Sequence, residues 1–331
     1  MASSIDLINI APEGTKLWLL NLGYLECDDG FLLKNASLIQ SSRMQVSKRL
    51  GRLTTCTKGG SHVSSKSNPD APRVRRKMVV ISVLIEHPTE GLILWETGTG
   101  SHYPGMQLIK PRVAEYVGCQ FTDQVIRAEV VGTPVNDVFA QVDYDPGEHD
   151  LDKAIAKTGH SIKDVKAVII GHLHLDHGGG LEHFIGTEVP VYVHELELKH
   201  AFYTVATGID VGVYLPYYLS FDMNWQPMVG DLIELAPGLN VRHAPGHTPG
   251  LCILQVNLRD SGTWIFTSDM YHVKENYESS IPQGWLMRDF DGWIRSNQMI
   301  KALVKRTKAN IVLGHDMDYM AKYKAAPEFH T

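Results

Sequence analysis

The sequence has few cysteines, no excess of basic charge and no long apolar run, and each of these excludes a class of protein. Its four cysteines in 331 residues include no C-x-x-C pair and do not have disulfide-scaffold spacing, so reduced thiols and a cytoplasmic location are expected. A net charge of −6 argues against nucleic acid or an anionic membrane as the partner. No apolar run approaches the roughly 20 residues of a membrane helix. The opening residues also lack the pattern of a secretory signal.

The remaining pattern predicts one layered α/β domain over residues 1–331. Short apolar runs that end in turns predict strands, for example at 79–86 and 167–170, and the apolar spacing at 292–306 predicts a helix. No internal repeat or low-complexity linker divides the chain. Residues 37–77 are instead rich in Ser, Lys, Arg, Gly and Pro, and this predicts a mobile insertion or lid.

Four metal-competent side chains lie within six residues, at His172, His174, Asp176 and His177. If the strand before them continues, residues 172, 174 and 176 point the same way, because side chains alternate between the faces of a strand. His177 would then turn inward where the following glycines bend the chain. Imidazole with carboxylate suits zinc, and also iron, manganese or cobalt. We therefore predict a metal site here.

Three later residues extend this set. His247 lies in a Pro- and Gly-rich loop, and Asp269 and His315 each follow an apolar strand. A single catalytic zinc uses three protein ligands and a water. Seven candidate ligands therefore indicate two metals that share a carboxylate.

The pattern H-x-H-x-D-H followed by a distant His, Asp and His resembles the metallo-β-lactamase superfamily, and its spacing is most similar to the N-acyl-homoserine lactonase branch. The resemblance runs from about residue 17 to about residue 319, interrupted by the insertion near 40–77. It implies a four-layer αββα sandwich with two zinc ions at the sheet edge between its halves. In the ligand set that it implies, the first metal is bound by His172, His174 and His247, the second by Asp176, His177 and His315, and both by Asp269.

The resemblance also implies a reaction. Two metals about 3.5–4 Å apart would activate a bridging hydroxide and polarise a scissile carbonyl. Asp176 would hold the nucleophile and pass a proton to the leaving group. The implied substrate is a small cyclic ester, with acyl-homoserine lactones as the family example.

Two positions depart from the lactonase pattern. Lactonases have a substrate-contacting tyrosine three residues after the bridging aspartate, whereas this chain has His272 there and Tyr271 one place earlier. The run Lys274–Tyr277 matches the family, so the alignment holds, and both residues are candidates for a catalytic role. Glu96 stands where an aspartate is usual, and we expect it to orient part of the site.

Three alternatives to lactone hydrolysis follow from the same residues. The His272 substitution and the insertion favour a cyclic amide or carbamate, such as a benzoxazolinone, as substrate. An iron-dependent oxygenase or redox protein could use the same scaffold, and a metal sensor without enzymatic activity would need only the ligands. Cys252 lies inside a predicted strand and is expected in the core. The sequence predicts no oligomeric state.

Overall fold

A computed structural model describes residues 9–34, 75–103, 139–208 and 213–331. Most of the insertion predicted at 37–77 lies outside these ranges, and only its last three residues are described, as the start of a strand. The mobility of that insertion stays a prediction.

The described strands are β1 (Lys16–Asp28), β2 (Arg75–His87), β3 (Gly91–Trp95), β4 (Ala140–Val142), β5 (Val165–Ile169), β6 (Val191–His194), β7 (Trp225–Met228), β8 (Leu232–Ala236), β9 (Leu239–His243), β10 (Cys252–Asn257), β11 (Thr263–Phe266) and β12 (Asn310–Val312). The described helices are α1 (Asp29–Leu32), α2 (Pro146–His149), α3 (Leu151–Ala156), α4 (Leu175–Gly178), α5 (Glu195–Thr207), α6 (Lys274–Glu278), α7 (Phe290–Thr307) and α8 (Met317–Met320). None of these helices has the length and hydropathy that a membrane span requires.

The strands form two sheets. The seven-stranded sheet has the order β4-β1-β2-β3-β5-β6-β7, with antiparallel pairs up to β3 and parallel pairs beyond it. The five-stranded sheet has the order β12-β11-β10-β9-β8 and is antiparallel except for the parallel pair β11–β12. The parallel pair brings the carboxyl ends of β11 and β12 to the same edge of its sheet.

The two sheets pack face to face through apolar side chains. Helices cover their outer faces, so the central strands are buried on both sides. In β2, Val83 and Ile85 face the core between the sheets, whereas Leu84 faces the outer layer. This double burial explains the near-continuous apolar run that predicted the strand. Cys252 is also buried in the core between the sheets, so its predicted core position is confirmed.

Helices cover both outer faces. Ala201 of α5 packs on the seven-stranded sheet. Trp293, Ile300 and Leu303 of α7 pack on the five-stranded sheet. The spacing of the α7 residues is that of one helix face. The predicted four-layer αββα sandwich is confirmed.

The chain after β5 differs from the sequence-based prediction. The segment is not extended as far as residue 176, because Leu175–Gly178 form the helical turn α4, in which Gly178 donates a 2.8 Å hydrogen bond to the His174 carbonyl. The glycines that follow are needed for close approach rather than for a positive φ. A Cβ on Gly179 would lie 2.0 Å from the Thr99 carbonyl oxygen. This contact fixes the turn against the loop that follows β3.

Candidate metal centre

Asp269 lies at the centre of the predicted cluster, and its two carboxylate oxygens face different histidines. Its Oδ2 is 3.6 Å from Nε2 of His172 and 3.4 Å from Nε2 of His247. Its Oδ1 is 3.1 Å from Nε2 of His177 and 2.9 Å from Nε2 of His315. The carboxylate therefore stands between two groups of donors.

The structure brings all seven predicted donors together in two sets. Within each set, one potential ligand atom per residue lies within 4.8 Å of every other. The first set contains His172, His174, His247 and Asp269, and the second contains Asp176, His177 and His315. All are buried except Asp176, which is partly exposed. Each set could hold one metal ion.

Both sheets supply these donors. The first four follow β5 of the seven-stranded sheet, whereas His247 follows β9, Asp269 follows β11 and His315 follows β12 of the five-stranded sheet. The site therefore lies at the edge where the two sheets meet.

Four of the histidines have an oxygen atom beside Nδ1. These oxygens are Ser268 Oγ at 3.0 Å from His172, Glu96 Oε2 at 3.0 Å from His177, Gln283 Oε1 at 2.9 Å from His247, and the Val79 carbonyl at 2.9 Å from His315. An N–H donated from Nδ1 leaves Nε2 with a free lone pair, which is the tautomer that a metal requires. The outer contacts thus prepare the inward-facing nitrogens for coordination.

Several buried atoms of the donor residues lack a hydrogen-bond partner among the described residues. They are Nε2 of His172, His174 and His177 and Oδ1 of Asp269. A buried polar atom without a partner is costly, and a cation at this position would remove that cost. His174 also turns Nδ1 to 2.9 Å from Nε2 of His247, so both rings could coordinate one ion. The donor set fits a divalent metal of the zinc type.

The protonation of the first set suits coordination. Burial lowers the pKa of His172 and His174 well below the usual range, and it lowers the pKa of His247 to about 3. Burial also disfavours a charge on His177, yet the carboxylates of Asp269 and Glu96 outweigh it and raise the pKa of this histidine. The low pKa values of the first set favour neutral rings, which is the form that a metal binds.

Glu96 connects the two sets. Its Oε2 faces His177, and its Oε1 accepts hydrogen bonds from the hydroxyl of Ser268 (2.9 Å) and the backbone N–H of Gly171 (3.2 Å). Because the Ser268 hydroxyl donates to Glu96, its oxygen accepts from Nδ1 of His172. Glu96 therefore contacts the site, and its orienting role stays a prediction.

The two neighbours predicted as catalytic point in opposite directions. Nε2 of His272 lies 3.1 Å from Oδ2 of Asp269, and its ring lines a pocket beside the donors. Tyr271 is buried beneath α7, where its hydroxyl donates a 2.7 Å hydrogen bond to Oδ1 of Asn297. The backbone at Tyr271 is extended, so successive side chains face opposite sides. The structure brings His272 to the donors and does not bring Tyr271 there.

Sequence reasoning missed three residues that support the donors. Gln283 accepts from His247 and donates through Nε2 to the backbone carbonyl of Asp269, so one amide links two candidate ligands. Ser268 and Glu197 are the others. Adjacency to Asp269 could have drawn attention to Ser268. Gln283 and Glu197 carry no motif, and their contacts span 13 to 53 residues of sequence.

A pocket opens onto this cluster. Its polar residues are His174, Asp176, Asp269, His272 and His315. Its apolar residues are Leu32, Met78, Phe139, Leu175, Val213 and Leu286. An apolar wall around a few convergent polar groups is typical of a small-molecule site.

Comparison with protein families and with known proteins gives matches over most of the chain. The family described as the metallo-beta-lactamase superfamily matches residues 76–315. An N-acyl homoserine lactonase from a Bacillus species is 30% identical over 175 residues, which cover 53% of this chain and 65% of that relative. The N-acyl homoserine lactonase AiiB of Agrobacterium fabrum is 23% identical over 322 residues, which cover 93% of this chain and 96% of that relative.

Solved structures share the fold. The AiiA lactonase of B. thuringiensis, in a mutant form with N-decanoyl-L-homoserine bound at its active site, superposes with a TM-score of 0.65 at 20% identity and covers 95% of this chain and 98% of that one. AidC, described as a dizinc quorum-quenching lactonase, has a TM-score of 0.58 at 15% identity, with coverage of 93% and 90%.

Proposed function

The chain belongs to the metallo-beta-lactamase superfamily, and from this premise we propose that it is a metal-dependent hydrolase that opens a small cyclic ester. One observation supports the proposal most strongly. Asp269 presents its two oxygens to two separate donor sets, and four of the five histidines have an acceptor for the outer N–H. The names of the lactonase relatives support a lactone as the substrate class.

The chain's own residues have distinct parts in this proposal. His172, His174 and His247 would hold the first metal, Asp176, His177 and His315 would hold the second, and Asp269 would contribute to both. When bound, two zinc ions would supply a hydroxide at neutral pH and polarise the ester carbonyl. Iron, manganese or cobalt would fit the same donors.

Asp176 transfers protons in this proposal, and His272 contacts the substrate. Asp176 lies at the partly exposed side of the second set, with Oδ2 at 3.4 Å from Nε2 of His315. From this position it accepts a proton from the nucleophile and returns it to the departing alkoxide of the ring. His272 donates an N–H to the substrate carbonyl oxygen from the pocket wall, in the role that the tyrosine has in lactonases.

The apolar wall favours a substrate with a hydrocarbon portion. Six apolar side chains surround the polar residues of the pocket, and they would exclude water from the reacting ester. A lactone with an acyl chain fits both parts of this pocket. Its ring can contact the polar residues while its chain contacts the apolar wall. This is the substrate class of the proposal.

His272 also favours a second candidate, hydrolysis of a cyclic amide or carbamate. Nδ1 of His272 has no hydrogen-bond partner among the described residues, and Nε2 lies 3.1 Å from Oδ2 of Asp269. From the pocket wall this ring could pass a proton to the departing amide nitrogen, which leaves poorly as an anion.

The test is a substrate panel on the zinc-loaded protein. The panel pairs an acyl-homoserine lactone and γ-butyrolactone with γ-butyrolactam and benzoxazolinone, and ring opening is followed by product analysis. We expect lactone opening that is lost in Asp269→Ala and kept in the matched control Asp231→Ala, whose side chain is 99% exposed.

Each outcome of this panel is informative. Lactam opening without lactone opening supports the second candidate, and turnover of neither class contradicts both. Full turnover in Asp269→Ala with two metals still bound would contradict the bridging assignment. Purified protein that contains iron and consumes oxygen would indicate redox chemistry instead.

A further inference from the structure

Glu197, on the first turn of α5, is a completely buried carboxylate outside the two donor sets. Burial raises the pKa of this carboxyl group, because a charge is poorly solvated there. A buried carboxylate needs hydrogen-bond donors to be tolerated. The identity of its donors therefore indicates what the residue does.

Each oxygen of Glu197 accepts two hydrogen bonds. Oε1 accepts from the backbone N–H of Leu173 and from the Tyr214 hydroxyl, both at 2.9 Å. Oε2 accepts from the Thr248 hydroxyl at 2.6 Å and from the backbone N–H of Gly250 at 3.3 Å. One carboxylate thus connects segments that lie far apart in the sequence.

These partners adjoin the histidines of the first set. Leu173 lies between His172 and His174, and Thr248 directly follows His247. The ring of Tyr214 packs edge-on against His174, with 4.7 Å between ring centroids. All three histidine ligands of the first metal are therefore adjacent to, or in contact with, a partner of Glu197.

The loop after His247 also packs directly on the helix that carries Glu197. A Cβ on Gly250 would lie 2.1 Å from the backbone nitrogen of Glu197, so only glycine fits. The carboxylate is consequently held at a fixed distance from this loop by backbone contact. It can then fix the distance between this loop and the one that contains Leu173.

We propose that Glu197 is a positioning residue that sets the spacing of His172, His174 and His247 and thereby the affinity of the first metal site. The inference rests on the two-metal centre proposed above. It makes Glu197 the counterpart of Glu96, which contacts His177 of the second set directly. The first metal site then depends on Glu197 in addition to its link to Glu96 through Ser268.

Glutamine cannot replace this carboxylate. Each oxygen of Glu197 faces one backbone N–H, from Leu173 or from Gly250. An amide has a single oxygen, so its NH₂ group would face the other N–H and leave that donor unsatisfied. In Glu197→Gln, one of the two loops loses its attachment.

The experiment compares metal binding by the wild type, Glu197→Gln and the matched control Glu195→Gln. Glu195 lies on the same helical turn, but it is partly exposed and pairs with the exposed Lys199. Zinc affinity is measured by chelator competition, and zinc anomalous diffraction shows which position keeps its ion. In Glu197→Gln we expect first-site affinity to fall about 10- to 100-fold, with the second site and the Glu195→Gln control unchanged.

A second variant keeps the test decisive if Glu197→Gln does not fold. Thr248→Val removes one hydroxyl donor and leaves the carboxylate in place, so we expect a smaller loss at the same site. Equal loss at both sites, or wild-type affinity at both in these variants, overturns the inference. If the wild type binds two metals but hydrolyses no lactone or lactam, the proposed function fails while the role of Glu197 can still be measured.

Discussion

The hydroxyl of Ser268 donates a 2.9 Å hydrogen bond to Oε1 of Glu96, and both residues have backbone φ angles in the left-handed region, 45° and 61°. Such angles are uncommon for residues other than glycine and carry a conformational cost. The surrounding structure holds both residues in place, and both contact candidate metal ligands. The two strained residues are therefore the ones whose side chains orient His172 and His177.

Glu96→Gln tests this relationship. The single oxygen of glutamine cannot accept from both His177 and Ser268, so one ligand histidine loses its fixed tautomer. We expect zinc affinity about 10- to 100-fold below that of the wild type by chelator competition. Glu86→Gln, at a half-exposed glutamate that pairs with Lys16, is the matched control and should bind normally. Affinity within twofold of the wild type would refute the orienting role.

His272→Phe separates a substrate contact from a metal ligand. If His272 donates to the substrate carbonyl, kcat falls about 10²- to 10³-fold, while the protein keeps its two metals. Steady-state kinetics and metal analysis of the same preparation measure both quantities. His102→Phe, at an exposed histidine, provides the control. Loss of a metal in His272→Phe would instead make this residue a ligand.

Tyr271→Phe should leave the kinetics unchanged. The Tyr271 hydroxyl contacts Asn297 beneath α7, so its removal leaves a buried acceptor without that donor. We expect the free energy of unfolding to fall by about 1–2 kcal/mol, as measured by urea denaturation. A variant with wild-type stability and impaired turnover would contradict this placement.

Removal of metal should destabilise the protein. Without a cation, the buried nitrogens and the carboxylate oxygen of the two sets lack partners among the described residues. A ligand that binds only the folded state at 100 times its Kd contributes about 2.7 kcal/mol. We therefore expect a lower Tm after chelation and recovery on adding zinc, with a shift that grows with free zinc. An unchanged Tm would argue against metal binding at this site.

The sequence predicted the donors because their chemistry is local. Four of them lie within six residues, and each later one stands in a turn or directly after a strand, where strand ends meet at a sheet edge. The resemblance supplied the αββα layers. These features depend on residue type and spacing, which the sequence displays.

The remainder depends on long-range contacts. Gln283 meets His247 across 36 residues, and Glu197 meets Thr248 across 51, in contacts that form only when loops fold together. The directions of Tyr271 and His272 follow from the short helical turn at Ser268–Met270, which sets the side that each one faces. The helical turn α4 was missed because the glycine contacts that fix it come from the loop after β3.

The supply of ligands by both sheets has a consequence for distant substitutions. His177 is attached to one sheet and His315 to the other, and Asp269 Oδ1 lies within 3.1 Å of a nitrogen of each. A change of even a few tenths of an ångström in sheet separation therefore alters the coordination distances. A smaller side chain at Trp264, buried between the sheets, should weaken zinc binding before it unfolds the protein. Zinc affinity would then report on core packing far from the metals.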